Sequence, residues 1–181
     1  ENCHEYLATD YGLLTKAIGV LTAAEEDVVF LDYGCGKGRA VAVAAMRPFK
    51  HVIGVELGDG LLEVARKNLS RMQSKVRCSK VSLHHVDATQ FDVPDDVNAV
   101  FFFNPFRGEI MTAVIGQLDA SLRRCPRTIM LFFLYPPGYA KDPFESLDGW
   151  SLKTEIPVGR HLFGRLPVYE SVPDFFADSG Q

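Results

Sequence analysis

Val28-Val29-Phe30-Leu31-Asp32-Tyr33-Gly34-Cys35-Gly36-Lys37-Gly38-Arg39 decides the fold. A short, continuously apolar run ends on alternating glycines, and an Ala/Val-rich stretch, Arg39 to Met46, begins at once. An apolar run without alternation suits a strand buried on both faces. Glycines directly after it let the backbone turn sharply into a helix. The same rhythm continues outward. Upstream, Asp10 to Ala24 reads as a helix, with Leu13, Leu14, Ala17, Ile18 and Leu21 on one face. Downstream, strands are expected over His51–Glu56, Val81–Val86, Asn98–Phe103 and Thr128–Tyr135, and helices over Gly60–Met72 and Glu109–Leu122. Trp150–Ile156 and Leu166–Glu170 then follow one another without a helix, which predicts an antiparallel pair, because parallel neighbours need a crossover. The pattern predicts an α/β fold: a doubly wound, mostly parallel sheet with an antiparallel terminal strand.

The chain has 181 residues, the length of one domain. Hydrophobic residues at 47% and charged residues at 23% exclude disordered, collagen-like and coiled-coil classes. A net charge of -4 opposes a general grip on nucleic acid, which wants the opposite sign. Cys3, Cys35, Cys78 and Cys125 form no CxxC pair, so neither zinc nor a disulfide framework is expected. His84 and His85 are adjacent in a strand and face opposite sides, so they cannot serve one metal. No apolar run reaches the ~18 residues of a membrane span, and no secretory signal is apparent. A cytoplasmic or other intracellular setting is the expectation, for a chain that opens at Glu1 as a trimmed piece would. The expected organisation is an N-terminal segment and helix over the site (1–24), the main domain (25–171) and a tail (172–181).

In an open α/β sheet, ligands bind beyond the carboxyl ends of the strands. Three carboxylates fall there: Asp32, Glu56 and Asp87. A dinucleotide loop needs Gly or Ala where Arg39 stands, and its pyrophosphate would be repelled by Asp32. Glu56 lies where an acid accepts hydrogen bonds from vicinal ribose hydroxyls, and Asp87 where one can accept a purine amine. Three acids at successive strand ends describe a cationic or neutral nucleoside, and S-adenosylmethionine, with its ammonium, sulfonium, diol and adenine amine, fits.

LDYGCGKGRAVAVAA (31–45), HVIGVEL (51–57) and HHVDA (84–88) resemble the first three motifs of the class I, seven-strand S-adenosylmethionine-dependent methyltransferases. The resemblance in element order covers Val28 to Glu170. It implies the sheet order 3-2-1-4-5-7-6 and S-adenosyl-L-methionine as cofactor, with S-adenosyl-L-homocysteine as product. It also implies that Asp32, Gly34, Gly36 and Gly38 flank the methionine part, Glu56 holds the ribose, Asp87 meets the adenine and Leu57 packs on its ring. Cys35, Ala88 and Asn104 complete the expected cofactor set.

Asn104-Pro105-Phe106 follows the fourth strand and is the expected catalytic element. An asparagine oxygen and a nearby carbonyl can accept hydrogen bonds from an attacking amine and aim its lone pair. The tetrapeptide of amino-directed methyltransferases carries two prolines, whereas this sequence has one. Asn-Pro-Phe with Arg107-Gly108 also resembles, more distantly, the seven-strand protein-lysine methyltransferases. Nitrogen is the expected acceptor atom, with a protein lysine as one candidate and a protein or small molecule as the expected partner; no membrane partner is expected. A binding-only domain or partner subunit, a small-molecule or RNA methyltransferase and an NAD-dependent oxidoreductase are the alternatives. Tyr6, Asp10, Tyr11 and Tyr135-Pro136-Pro137 are candidate walls of the acceptor pocket, and the basic run from Arg66 to Lys80 is expected to be a solvated face.

Overall fold

The structure, a computed structural model, describes residues 9–103, 106–135, 142–158 and 165–178. Its strands are β1 (Val29–Tyr33), β2 (His51–Glu56), β3 (Val81–His85), β4 (Ala99–Phe103), β5 (Met130–Leu134), β6 (Trp150–Pro157) and β7 (Arg165–Ser171). Helices are α1 (Tyr11–Gly19), α2 (Arg39–Ala45), α3 (Asp59–Arg71), α4 (Gly108–Arg124) and α5 (Pro173–Asp178). The seven strands form one sheet in the order β3-β2-β1-β4-β5-β7-β6, as the resemblance implied. β1 through β5 run parallel, and β7 pairs antiparallel with both β5 and β6.

β1 is buried at all five positions, as a central strand covered on both faces must be. Its alternate side chains feed two cores. Leu31 and Tyr33 join Phe102, Phe133 and Leu118 of α4 on one face. Phe30 joins Phe101, Phe132, Leu14 of α1 and Val41 of α2 on the other. Tyr33 stacks on Phe102 with centroids 5.3 Å apart and planes 3° from parallel. Each such buried ring contributes about 2–3 kcal/mol, and Phe102→Ala would cost roughly 3–5 kcal/mol.

Several boundaries differ from those expected. The first helix stops at Gly19, and Glu25–Asp27 form a separate 3-10 turn. Asn98 is not in β4: its side-chain oxygen accepts from Val29 N–H at 2.9 Å and its amide donates to Asp27 O at 3.0 Å, clasping the start of β1. Residues 173–178, expected as tail, form α5 and bury Phe176 to 1% exposure. Two adjacent phenylalanines there provide enough apolar area to hold one turn of helix down. Cys35, Cys78 and Cys125 are free thiols. Among the described residues no helix is long and apolar enough to cross a membrane, and no three metal-type ligands cluster. His84 and His85 part as expected: His84 meets the Phe91 ring at 5.3 Å, and His85 Nε2 lies 2.9 Å from Leu57 O.

Candidate functional site

The carboxyl ends of β1, β2 and β3 lie side by side because Asp32 is in register with Gly54, and Glu56 with His85. Between β1 and α2 the chain makes a tight loop in which Gly34, Gly36 and Gly38 all have positive φ. At Gly38 (φ +77°) a Cβ would also meet Ala65 Cβ of α3 at 2.8 Å, so the turn and the α2–α3 approach both require glycine. Among the described residues the nearest atom to a Cβ added at Gly34 is Phe106 Cζ at 3.9 Å, so none of them crowds the backbone on that side. Val55 O accepts from both Gly34 and Cys35 N–H at 2.9 Å, and Asn68 Nδ2 donates to Lys37 O at 3.0 Å. The loop is thus fastened from β2 and from α3.

Glu56 does more than stand at a strand end. Its Oε2 accepts from Gly36 N–H and its Oε1 from Gly58 N–H, both at 2.8 Å. Charge-assisted bonds of this kind are worth about 1.5–3 kcal/mol each. One carboxylate therefore ties the glycine loop to the start of α3. Each oxygen keeps a lone-pair site for a further donor such as a hydroxyl.

Asp32 is 4% exposed, and no described residue hydrogen-bonds its carboxyl. Burial first, and the neighbouring Glu56 charge second, push its pKa up from 3.8 to about 8. A buried carboxyl without a cation is an acceptor awaiting one. Leu57, directly after Glu56 at the end of β2, has 59% of its surface exposed and offers an apolar platform there. Asp87 is exposed, and its Oδ1 accepts from Thr89 N–H at 2.9 Å and Thr89 Oγ1 at 2.8 Å, which fixes the carboxylate in place. Ala88 beside it is buried.

Cys35 is buried within the glycine loop. Its thiol turns into the core against the Gly54 backbone and Val41, and burial pushes its pKa up, so only its main chain borders the loop. Phe106 meets the Tyr33 ring edge-on at 6.4 Å and so lies beside the glycine loop. Asn104 and Pro105 lie outside the described residues, as do Tyr6, Pro136 and Pro137. Asp10 is spent on the first turn of α1, accepting from Leu13 N–H at 3.0 Å. Arg39 donates to Thr9 O at 2.8 Å and stacks over Tyr11 at 4.7 Å, which fastens the start of α1 next to the glycine loop.

One group has no sequence signal at all. Asp142, 6% exposed, accepts from Tyr169 Oη and Phe144 N–H, each at 2.8 Å, and from the Tyr135 hydroxyl. Desolvation raises its pKa. Tyr135 directly follows β5, whose last residue, Leu134, pairs with Phe103. This cluster therefore adjoins the end of β4.

The model of a methyltransferase domain family matches residues 30–125. No curated protein matches the chain. Among solved structures, the chain is similar to an rRNA methylase from Streptococcus thermophilus, at 15% identity over 92% of this chain and 98% of that one, with a TM-score of 0.62. It is similar to the magnesium protoporphyrin IX methyltransferase of Synechocystis PCC 6803, solved with bound S-adenosylmethionine, at 14% identity over 89% and 77% of the two chains, TM-score 0.66. The methyltransferase domain of a bacterial Hen1 is a third, at 17% identity over 88% and 97%, TM-score 0.64. At these identities the likeness is one of fold.

Proposed function

The chain belongs to the methyltransferase domain family and is an S-adenosylmethionine-dependent methyltransferase; from that premise we propose that it methylates a nitrogen, on a small molecule or a protein side chain such as lysine. The observation that carries the cofactor assignment to particular residues is the buried, uncompensated carboxyl of Asp32 beside the doubly anchored Glu56. An ammonium suits the first, a ribose diol the spare lone pairs of the second, and a flat purine the exposed Leu57, with Asp87 and Ala88 at its amine edge. Gly34, Gly36 and Gly38, with the main chain of Cys35, let that ligand lie against backbone.

The cofactor supplies an electrophilic methyl group on a sulfonium. What remains for the protein is alignment and proton handling. Asn104, which follows the last residue of β4, and the carbonyl fixed by Pro105 accept N–H bonds from the acceptor and leave its lone pair free to attack. Phe106, packed against Tyr33 beside the glycine loop, excludes water from the acceptor. The segment before Thr9 and helix α1 cover the cofactor, an arrangement supported by the Arg39 tether.

The basic run supports a non-nucleic-acid acceptor. Lys67 pairs with Glu63 at 2.6 Å, while Lys75, Arg77 and Lys80 precede β3 and so lie toward the amino ends of the parallel strands, away from the carboxyl ends that carry the glycine loop. Calorimetry with S-adenosylmethionine and S-adenosylhomocysteine, with NAD as control, tests the cofactor residues: micromolar binding of the first two, weakened by Asp32→Asn, is expected. An Asn104→Ala enzyme that binds cofactor but loses transfer to amines would support the acceptor role; undiminished turnover would remove it.

A further inference from the structure

A cavity of about 630 Å³ lies on one face of β6 and β7, beneath the turn at residues 142–147. The described part of the β5–β6 connection, residues 142–149, forms turns and no helix, and Asp142, Phe144 and Glu145 of it line the cavity. Alternate residues of β7, Arg165, Pro167 and Tyr169, form its floor. Tyr135, Phe144 and Trp150 give aromatic walls. Two carboxylates enter it, Asp142 and Glu145, while Glu155 is paired with Arg165. Glu145 is exposed and has no cation within ion-pair reach among the described residues. The volume suits a small organic ligand, and an aromatic box with excess carboxylate suits a cation.

Its position matters as much as its lining. The acids at the ends of β3, β2 and β1 occupy one half of the sheet, β4 stands in the middle, and the cavity opens from Tyr135 across β7 and β6 in the other half. Tyr135 directly follows Leu134, which is in register with Phe103, so the mouth of the cavity adjoins the end of β4. We infer that this cavity receives the methyl acceptor, and that the acceptor is an organic amine carried on an apolar stem. The inference rests on the methyltransferase reading above. Asp142, held by three donors, is a fixed acceptor at the inner end, and Glu145 guards the open side.

Trp150 is the sole tryptophan of the chain and lines the cavity, so its fluorescence reports occupancy without turnover. The full chain is titrated with n-hexylamine, 1-hexanol and hexanoate, and with a lysine-bearing peptide. A saturable Trp150 response to hexylamine is expected, at least ~10-fold weaker for hexanol and nil for hexanoate. Glu145→Gln, a surface change, should weaken the amine about 5–10-fold and leave hexanol unaffected. The peptide matching or exceeding hexylamine identifies a protein side chain as the source; the free amine alone binding identifies a small molecule. Equal responses to amine and alcohol, an unresponsive Trp150, or a response to adenosine in place of hexylamine would overturn the inference. S-adenosylhomocysteine binding is measured in parallel on the same samples. Its loss in the wild-type chain strikes the cofactor assignment, whereas a silent Trp150 with that binding intact strikes only the acceptor site.

Discussion

Asp32→Asn should make the free protein more stable and the cofactor complex weaker. Burial raises the Asp32 pKa from 3.8 to about 8, so between those values the folded state holds a proton that the unfolded chain has lost. By linkage, stability then falls as pH rises through that window and levels off above it. At ~1.4 kcal/mol per pKa unit the full cost at pH 7 is on the order of 4 kcal/mol. Relaxation around a buried charge reduces this, so Asn, neutral and of the same shape, should recover about 1–3 kcal/mol, or roughly 3–10 °C in melting temperature. Thermal melts of both proteins from pH 5 to pH 9 measure it, and the gap should widen from pH 5 to about pH 8 and then stay constant. Cofactor binding reverses the sign, because the ammonium needs the carboxylate. Wild-type protein should release about one proton on binding at pH 7, read from calorimetry in buffers of different ionisation enthalpy. The Asn variant should release none and bind at least ~10-fold more weakly. A variant less stable than wild type at pH 7.5, or a gap independent of pH, would refute a buried carboxyl waiting for a cation.

Three further outcomes test the surrounding geometry. Glu56→Gln keeps one amide oxygen where two carboxylate oxygens served Gly36 and Gly58, so cofactor affinity should fall by about 1.5–3 kcal/mol, with faster hydrogen exchange at those two amides. Tyr33→Phe removes a buried hydroxyl that has no hydrogen-bond partner among the described residues while keeping the ring on Phe102; urea unfolding should show a gain of about 1 kcal/mol, and a loss would mean the hydroxyl is used. Arg127→Ala strips donors from the carbonyls of Pro94, Val97, Ser121 and Cys125, which join the β3–β4 connection to the end of α4, and should cost roughly 3 kcal/mol; Arg127→Lys should restore only part, since one ammonium cannot span the set.

Much of the site's frame was legible before any coordinates. The apolar run at Val28–Leu31 and the glycines behind it state a local backbone requirement, and Gly34, Gly36 and Gly38 meet it with positive φ. Asp32, Glu56 and Asp87 announce themselves by standing where strands end. Less legible was what those residues spend their bonds on. Cys35 sits inside the glycine loop, yet its thiol is drawn into the core by the space that Gly54 leaves. Arg127 closes the C-terminal end of α4 through the Ser121 and Cys125 carbonyls, and its guanidinium also reaches Pro94 and Val97, a second attachment with no sequence signal. Residues 173–178 lack a helical period long enough to recognise, so only the burial of Phe176 marks them as part of the fold.

By itself the sequence determined the alternation of strands and helices, the reversal of the last strand pair, the glycine turn and the acids beyond it. Each of these is written in periodicity or in the backbone freedom of a single residue, both local properties. Only tertiary structure decided that Glu56 binds two loops at once, and that Asp142 meets Tyr135 and Tyr169 over a cavity. That meeting depends on the register of β7 against β5 and β6, with its irregularity between Leu152 and Thr154, and on a turn that places Phe144 against Phe133, Trp150 and Tyr169. Register is set by the summed packing of many side chains across the sheet, so no short stretch of sequence carries it.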